Sequence, residues 1–432
     1  MVRMFKHIKS YGLVTVSIAL VLALLMGSVV PAKATEPERI VKIGLQAALT
    51  GPLASVHIWL NYGTLDCIRF MNERGSPEDV HIESTWYDSR GEPGRTVSAH
   101  RRFKEEGVQV EVSFIDTSVE PILSSLQRDE IPMIMTGGSS ELMVTKPVQW
   151  VFCACWPWAL YAVHMLNYLK QTWTEERPLR VGLMGIDYPP SYDLDKAVRK
   201  YAPRFGMEYI GGAFPSMFGT LDTSTEWLRL AREKPDWIVL MSFGQTQTVQ
   251  VKDGARLEIM KKGIKLMAAY PMAQKQIDIA GKRDCEGWLI MRHMPSLAEI
   301  RDLPIGKDIM EAAKRYRGVA ELTDDAYLLG WTGGQIAVGG IRLATEQVGV
   351  ENLSGAAVRN ALASMKDYDA TSGIMPPVTM SDTWPIYAPW EMVYKVHDGK
   401  ILPYSEGPIE FPYDLVDPED WERFRLVPPG KS

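Results

Sequence analysis

Histidine, cysteine, serine and paired carboxylates are the residues of this sequence whose spacing could support chemistry. The histidines after residue 34 show no HExxH or other metal-ligand spacing, and the serine pair in TGGSSELM (136–143) lacks the GxSxG pattern of hydrolases. No GxxxxGK(S/T) phosphate loop occurs, and no GxGxxG follows an apolar run. The carboxylate pair Asp324 and Asp325 lies at a predicted helix start, where capping explains it. The sequence therefore predicts no enzyme, no cofactor and no metal.

The four cysteines are the remaining reactive residues: Cys67, Cys153, Cys155 and Cys285. Four cysteines allow three complete pairings, and the sequence alone does not choose among them. On a strand, Cys153 and Cys155 would point to the same face without being well placed to bond each other. No histidine lies near them in sequence, which argues against zinc. One disulfide and isolated buried thiols both remain open.

Residues 1–34 have the pattern of a secretory signal peptide. Basic residues come first, an apolar run extends from Leu13 to Val30, and Ala32-Lys33-Ala34 offers a cleavage site. The alternative is a membrane anchor, because the run approaches spanning length, but the polar stretch after it favours cleavage. We therefore expect an exported protein that begins at Thr35 and is located in the periplasm.

Length and charge restrict the class of protein further. The chain has 432 residues, which suggests two or three domains. Its formal net charge is -6, and no long basic run interrupts it. Because neutralising phosphates requires clustered lysine and arginine, nucleic acid is not expected as a partner.

Short β-rich runs alternate with amphipathic helical patterns. The first set of predicted strands is 41–47, 81–88, 110–114 and 132–135, and the second is 180–185, 207–214, 237–242 and 264–269. Helical patterns separate them, and further helices are predicted at 306–317, 324–346 and 354–365 before a last strand at 391–396. Such alternation indicates βαβ units and a parallel sheet. The sequence thus predicts an α/β fold with two consecutive doubly wound parallel-sheet units.

Several segments carry a family resemblance through their common order and spacing. They are VKIGLQAALTGPLAS (41–55), YDSRGEPGRTVSAHRRFKEEGV (87–108), IPMIMTGGSSELM (131–143), RVGLMG (180–185) and SYDLDKAVRKYAPRFG (191–206). Together they resemble the branched-chain amino-acid-type substrate-binding proteins of ABC transporters, within the type I periplasmic binding proteins. The similarity extends from about Val41 to Lys400.

The resemblance implies two α/β lobes joined by three crossover hinge strands, with the ligand in the cleft between the lobes. The crossovers are expected near 150–158, 287–295 and 368–377. Lobe 1 would comprise 35–155 and 290–370, and lobe 2 would comprise 156–289 and 371–432. It also implies hinge closure on a small-molecule ligand, delivery to ABC permease subunits of the inner membrane, and a monomer.

On the first lobe, the resemblance assigns the ligand carboxylate to the loop containing Gly137, Gly138 and Ser139. Glycines let adjacent backbone amides approach an anion closely. In SFIDTS, Asp116 replaces the family's usual serine, so Thr117 or the next serine would take over that contact. Asp116 could also hold a cationic ligand group, and helix capping explains it equally well.

The remaining predicted ligand-binding residues are mostly aromatic. They are Val56, His57 and Trp59 on the first lobe, and Tyr192, Phe243 and Tyr270 on the second, with Tyr188 as a rival to Tyr192. Tyr270 stands where amino-acid-binding members usually place an acid that holds the ligand ammonium. The resemblance therefore implies a small organic or aromatic acid. Amino-acid transport remains an alternative, since Asp116 could supply the missing charge. Ligand sensing for a membrane receptor is a second alternative, which would share the pocket and differ in the partner surface.

Overall fold

The computed structural model describes residues 39–428 except 52, 75–76, 78, 116–118, 137–148, 270–271, 378 and 388–389. These residues form two β-sheets flanked by helices. None of the helices described is long and apolar enough to cross a membrane.

The first sheet has five parallel strands in the order β2-β1-β3-β4-β5. The strands are β1 (Arg39–Ala47), β2 (Val80–Asp88), β3 (Val108–Ser113), β4 (Met133–Met135) and β5 (Val151–Cys153). The connecting helices are α1 (Ala54–Glu73), α2 (Pro93–Glu105) and α3 (Leu123–Asp129). Val41, Ile43 and Leu45 of β1 are fully buried, as expected for a central strand of a covered parallel sheet.

The second sheet has seven strands in the order β12-β11-β10-β9-β8-β6-β7. They are β6 (Leu179–Met184), β7 (Met207–Ala213), β8 (Trp237–Leu240), β9 (Lys265–Ala268), β10 (Leu289–Arg292), β11 (Met392–His397) and β12 (Lys400–Pro403). Strands β6 to β10 are parallel, whereas β11 and β12 are antiparallel additions. The helices of this part are α4 (Trp158–Gln171), α5 (Pro189–Tyr201), α6 (Ser224–Arg232), α7 (Gly244–Arg256) and α8 (Gln274–Ala280).

After β10 the chain returns to the first sheet. The helices that follow are α9 (Leu297–Ile300), α10 (Pro304–Arg317), α11 (Asp325–Val348) and α12 (Gly355–Leu362), and α13 (Pro418–Phe424) comes near the end. Helix α11 packs along α1 at very short range. A Cβ atom at Gly63 would lie 2.0 Å from the Tyr327 carbonyl oxygen, and one at Gly330 would lie 1.9 Å from that of Leu60. Only glycine permits this backbone approach.

We call the first sheet with α1–α3 and α10–α12 the first lobe, and the second sheet with α4–α8 the second lobe. In the described part, the chain passes between the lobes after β5, after β10, and between α12 and β11. The predicted architecture of two parallel-sheet lobes joined by three crossovers is confirmed. The predicted strands are all present, with shifts of a few residues at their ends.

Four helices and one strand were not predicted: α4, α8, α9, α13 and β12. Helix α4 has buried side chains on nearly every face, including Leu160, Tyr161, Ala162 and Val163 in succession. It therefore lacks the one-sided apolar stripe by which an amphipathic helix is recognised. The structure also decides the question of the cysteines, because Cys67, Cys153, Cys155 and Cys285 are all described, all buried and not joined in any disulfide.

Candidate functional site

A cavity of about 100 Å³ lies between the two lobes. It has room for several water molecules, since one water needs roughly 10–15 Å³ on the same measure. First-lobe residues in its wall are Leu53, Val56, His57, Leu60, Phe114, Thr136, Asp324, Asp325, Ala326 and Leu329. The second lobe supplies Trp158, Tyr188, Pro190, Phe243, Ala273 and Gln276, and Met294 follows β10.

The topology explains why these residues meet. Phe114 follows β3, Thr136 follows β4, Tyr188 follows β6, Phe243 follows β8 and Met294 follows β10. Open α/β sheets bind ligands beyond the carboxyl ends of their strands, and here two such ends face one cavity.

Aromatic rings form much of the wall. Tyr188 and Phe243 contact each other edge to face, with ring centroids 5.5 Å apart, and Trp158 stands at the start of α4. On the first lobe, the His57 ring lies edge-on to Phe114 at 6.1 Å. Rings provide a large apolar contact area at low entropic cost, which suits a ligand with an apolar body.

His57 is a neutral hydrogen-bond donor in this wall. Burial lowers its pKa to about 4, so the imidazole is uncharged at neutral pH. The backbone N–H of Ala48 donates to Nδ1 at 3.4 Å, which leaves the proton on Nε2. Among the residues that the structure describes, Nε2 has no hydrogen-bond partner. The Nε2 proton is therefore available to a ligand acceptor.

Gln276 and Thr136 add two further polar groups. The Gln276 Oε1 accepts from the Ala273 N–H at 3.2 Å in a capping arrangement, so its Nε2 group is the remaining donor. That Nε2 donates to nothing else in the described ranges. The Thr136 hydroxyl is buried and has no partner within the same residues. Buried polar groups normally find partners, so a ligand or water is expected here.

Two adjacent carboxylates at the start of α11 complete the site. Asp324 caps the helix, as predicted, because its Oδ1 accepts from the Ala326 N–H at 3.1 Å. Its Oδ2 lies 3.1 Å from Nζ of Lys275 on α8, and burial raises the pKa of Asp324. The Oδ2 of Asp325 lies 2.7 Å from Nη1 of the fully buried Arg292. Each first-lobe carboxylate is thus paired with a cation of the second lobe.

Of the predicted ligand-binding residues, the structure brings Val56, His57 and Phe243 to the cavity. It places Tyr188 there as well, and not Tyr192. The side chain of Tyr192 is one helical turn further along α5 and 39% exposed, and its hydroxyl donates to Asp187 Oδ1 at 2.7 Å.

Trp59 also lies outside the cavity wall. It contacts Tyr62 and Tyr327, at centroid distances of 5.9 and 6.5 Å. Val56, His57 and Leu60 share one face of α1, and Trp59 is about 100° away from the middle of that face. The other predicted residues lie outside the described ranges: Asp116, Thr117, Gly137, Gly138, Ser139 and Tyr270. The same holds for the signal-peptide prediction at 1–34.

The sequence interpretation did not assign Trp158, Gln276 or Thr136 to the site, and it saw the Asp324–Asp325 pair only as a helix cap. Trp158 could have been found from its place at the end of the first predicted crossover. No local sequence pattern predicts the pairing of Lys275 with Asp324, because the two residues are 49 positions apart in the chain.

One described group has the composition of a metal site, namely Glu286, His397 and Asp398, whose candidate ligand atoms lie within 4.8 Å of one another. All three residues are exposed, and none lines the cavity. The imidazole Nδ1 is already hydrogen-bonded to Glu286 Oε1 at 2.9 Å. We assign no metal to this group.

Comparison with known proteins agrees with the fold. The family model described as "Periplasmic binding protein" matches residues 40–384. A Leu/Ile/Val-binding protein homolog of Brucella melitensis is 22% identical over 138 residues, which cover 32% of this chain and 38% of that protein. Because the match covers so little of that relative, its activity and substrates are not transferred.

Solved structures resemble the chain over most of its length. One is a branched-chain amino acid ABC transporter protein from Thermus thermophilus with bound valine, with a TM-score of 0.76 and 19% identity, covering 87% of this chain and 97% of that one. Another is a solute-binding protein of an ABC transporter from R. palustris in complex with 4-hydroxybenzoate, with a TM-score of 0.69 and 18% identity, covering 86% and 97%. At these identities the likeness shows the fold. With a family model that matches most of the sequence and two lobes enclosing a cavity, the chain belongs to the periplasmic binding protein family.

Proposed function

We propose that this protein is the solute-binding component of an ABC importer and that its ligand is a small organic acid. The proposal rests on the distribution of charges and of free hydrogen-bond donors in the cavity. Both carboxylates that the described residues contribute to the wall are paired with cations of the protein itself, Lys275 and Arg292. Among the described wall residues with an unused hydrogen-bonding group, His57 and Gln276 present N–H donors and Thr136 presents a hydroxyl.

A cavity with this character favours acceptors over cations. A ligand ammonium would need a carboxylate, and burying it without one costs several kcal/mol. A ligand carboxylate would accept hydrogen bonds from the free N–H groups, and hydrogen bonds to a charged acceptor are stronger than neutral ones. The carboxylate-binding loop expected at Gly137 to Ser139 would follow directly after Thr136 and add backbone donors.

The apolar part of the wall favours an acid with an aromatic or branched body. Trp158, Tyr188 and Phe243 on the second lobe face Val56 and Leu60 on the first. The structural relatives with bound valine and 4-hydroxybenzoate are consistent with ligands of this size. Since both lobes contribute to the wall, the ligand would stabilise the closed arrangement through contacts with each.

The wider role follows from the family. Export through the predicted signal peptide would place the protein in the periplasm, where it would act as a monomer and pass its ligand to permease subunits in the inner membrane. We propose that it binds its ligand without converting it.

Isothermal titration calorimetry with matched pairs of ligands tests the proposal. We expect 4-methylpentanoate to bind at least about tenfold more tightly than leucine, and 3-phenylpropanoate more tightly than phenylalanine, because each acid lacks the ammonium. 4-Hydroxybenzoate extends the series to a planar acid. Tighter binding of leucine than of 4-methylpentanoate would contradict the proposed ligand class.

A further inference from the structure

The ion pair between Asp324 and Lys275 joins a residue of the cavity wall to a residue of the opposite lobe. Asp324 lines the cavity, and its Oδ1 is used in capping α11. Its Oδ2 is therefore the atom that a cationic group could still contact. Lys275 Nζ already contacts this oxygen at 3.1 Å, from the opposite lobe.

The neighbouring pair differs in accessibility. Neither Arg292 nor Lys275 is a wall residue, but Arg292 is fully buried, so its ion pair with Asp325 is part of the protein interior. Lys275, in contrast, keeps 33% of its side chain exposed. A lysine ammonium is also a compact point charge on a flexible stem, and another primary ammonium can reproduce its contact. Of the two carboxylates, Asp324 is thus the one whose cation can be exchanged.

We propose that Lys275 determines ligand specificity by occupying Asp324 Oδ2 and so excluding ligands that carry an ammonium group. This inference rests on the proposed function, because it explains how the site selects acids. The lysine ammonium acts as an internal substitute for the amino group of an amino acid. When it is removed, a buried carboxylate faces the cavity without a counter-charge, and such a carboxylate attracts a ligand ammonium.

The test is a change of selectivity in Lys275→Met, which removes the charge while keeping an unbranched side chain. Titration with leucine and 4-methylpentanoate should show that the ratio of their affinities shifts toward leucine by about tenfold or more. Adding Asp324→Asn to this variant should abolish the gain, because the amide no longer attracts a cation. Thermal unfolding of each variant checks that the fold is retained.

Lys261→Met provides a matched control. Lys261 pairs with Glu258 at 2.6 Å, but both side chains are mostly exposed, at 77% and 56%, and neither lines the cavity. The same loss of a lysine charge there should leave the selectivity unchanged. An equal shift in this control would mean that net charge, and not the contact with Asp324, determines selectivity, which would overturn the inference.

The outcomes separate this inference from the proposed function. If the wild-type protein prefers the acid and Lys275→Met shows no shift toward leucine, the role of Lys275 is wrong and the ligand class stands. If the wild-type protein prefers leucine, or binds no member of either pair, the proposed ligand class and the inference both fail. A shift that persists in the double variant would contradict the role of Asp324.

Discussion

Replacing Asp325 by Asn should lower the free energy of unfolding by about 3–5 kcal/mol, the usual effect of breaking a buried ion pair. Arg292 would remain in the interior with its charge uncompensated. Its Nε and Nη2 groups have no hydrogen-bond partner among the described atoms, so Asp325 provides its one short ionic contact there. Asparagine keeps the size of the side chain and an oxygen that can accept from the Leu297 N–H, as Asp325 does at 3.3 Å. The loss therefore reports on charge.

Urea denaturation of the wild type and the variant measures this difference, with Glu321→Gln as the control. Glu321 pairs with Arg301 at 2.8 Å, but the two side chains are 62% and 51% exposed. Exposed pairs contribute about 0–1 kcal/mol, so the control should change stability by no more than that. Equal effects at the two sites would contradict a structural role for the Arg292–Asp325 pair between the lobes.

Replacing Val56 by Trp should weaken binding of 4-methylpentanoate by about 100-fold or more, about 2.7 kcal/mol, because the ring obstructs the binding volume. Val56 lines both the cavity and the open groove beside it, which Phe218 and Gly244 also line. Because Val56 borders both spaces, an indole at this position would take up volume in one of them.

Val97→Trp is the control for the size of the new side chain. Val97 is exposed on α2 and does not line the cavity. Calorimetry should show wild-type affinity for this variant, and thermal unfolding should show that both proteins are folded. Unchanged binding in Val56→Trp would place the ligand somewhere other than this cavity.

The sequence predicted the fold well because its strongest signals are local. The apolar run from Val41 to Ala47 forms most of β1. Pro93 begins α2, because the fixed φ angle of proline suits the first turn of a helix. Signals of this kind depend only on neighbours in the chain. Helix α4 was not predicted because it is buried on nearly every side.

The site was predicted less completely because its contacts join distant parts of the chain. Position after a strand directed attention to Phe243, which lines the cavity, but could not decide between Tyr188 and Tyr192. The first three residues of α5, 189–191, separate the two tyrosines. Only the backbone structure shows that Tyr188 precedes the first turn of this helix. The pairing of Asp324 with Lys275 depends on how the lobes face each other, and no local pattern encodes it.

The proposed ligand class and binding site are tested most directly by a crystal structure of the protein with 4-methylpentanoate or the tightest-binding acid of the panel. We expect the acid in the cavity between the lobes, with a carboxylate oxygen within hydrogen-bond distance of His57 Nε2, Gln276 Nε2 or the Thr136 hydroxyl. The apolar body should lie against Trp158 and Phe243, and Lys275 should remain paired with Asp324. An acid bound outside this cavity, or a complex in which Lys275 is no longer paired with Asp324, would contradict the proposal.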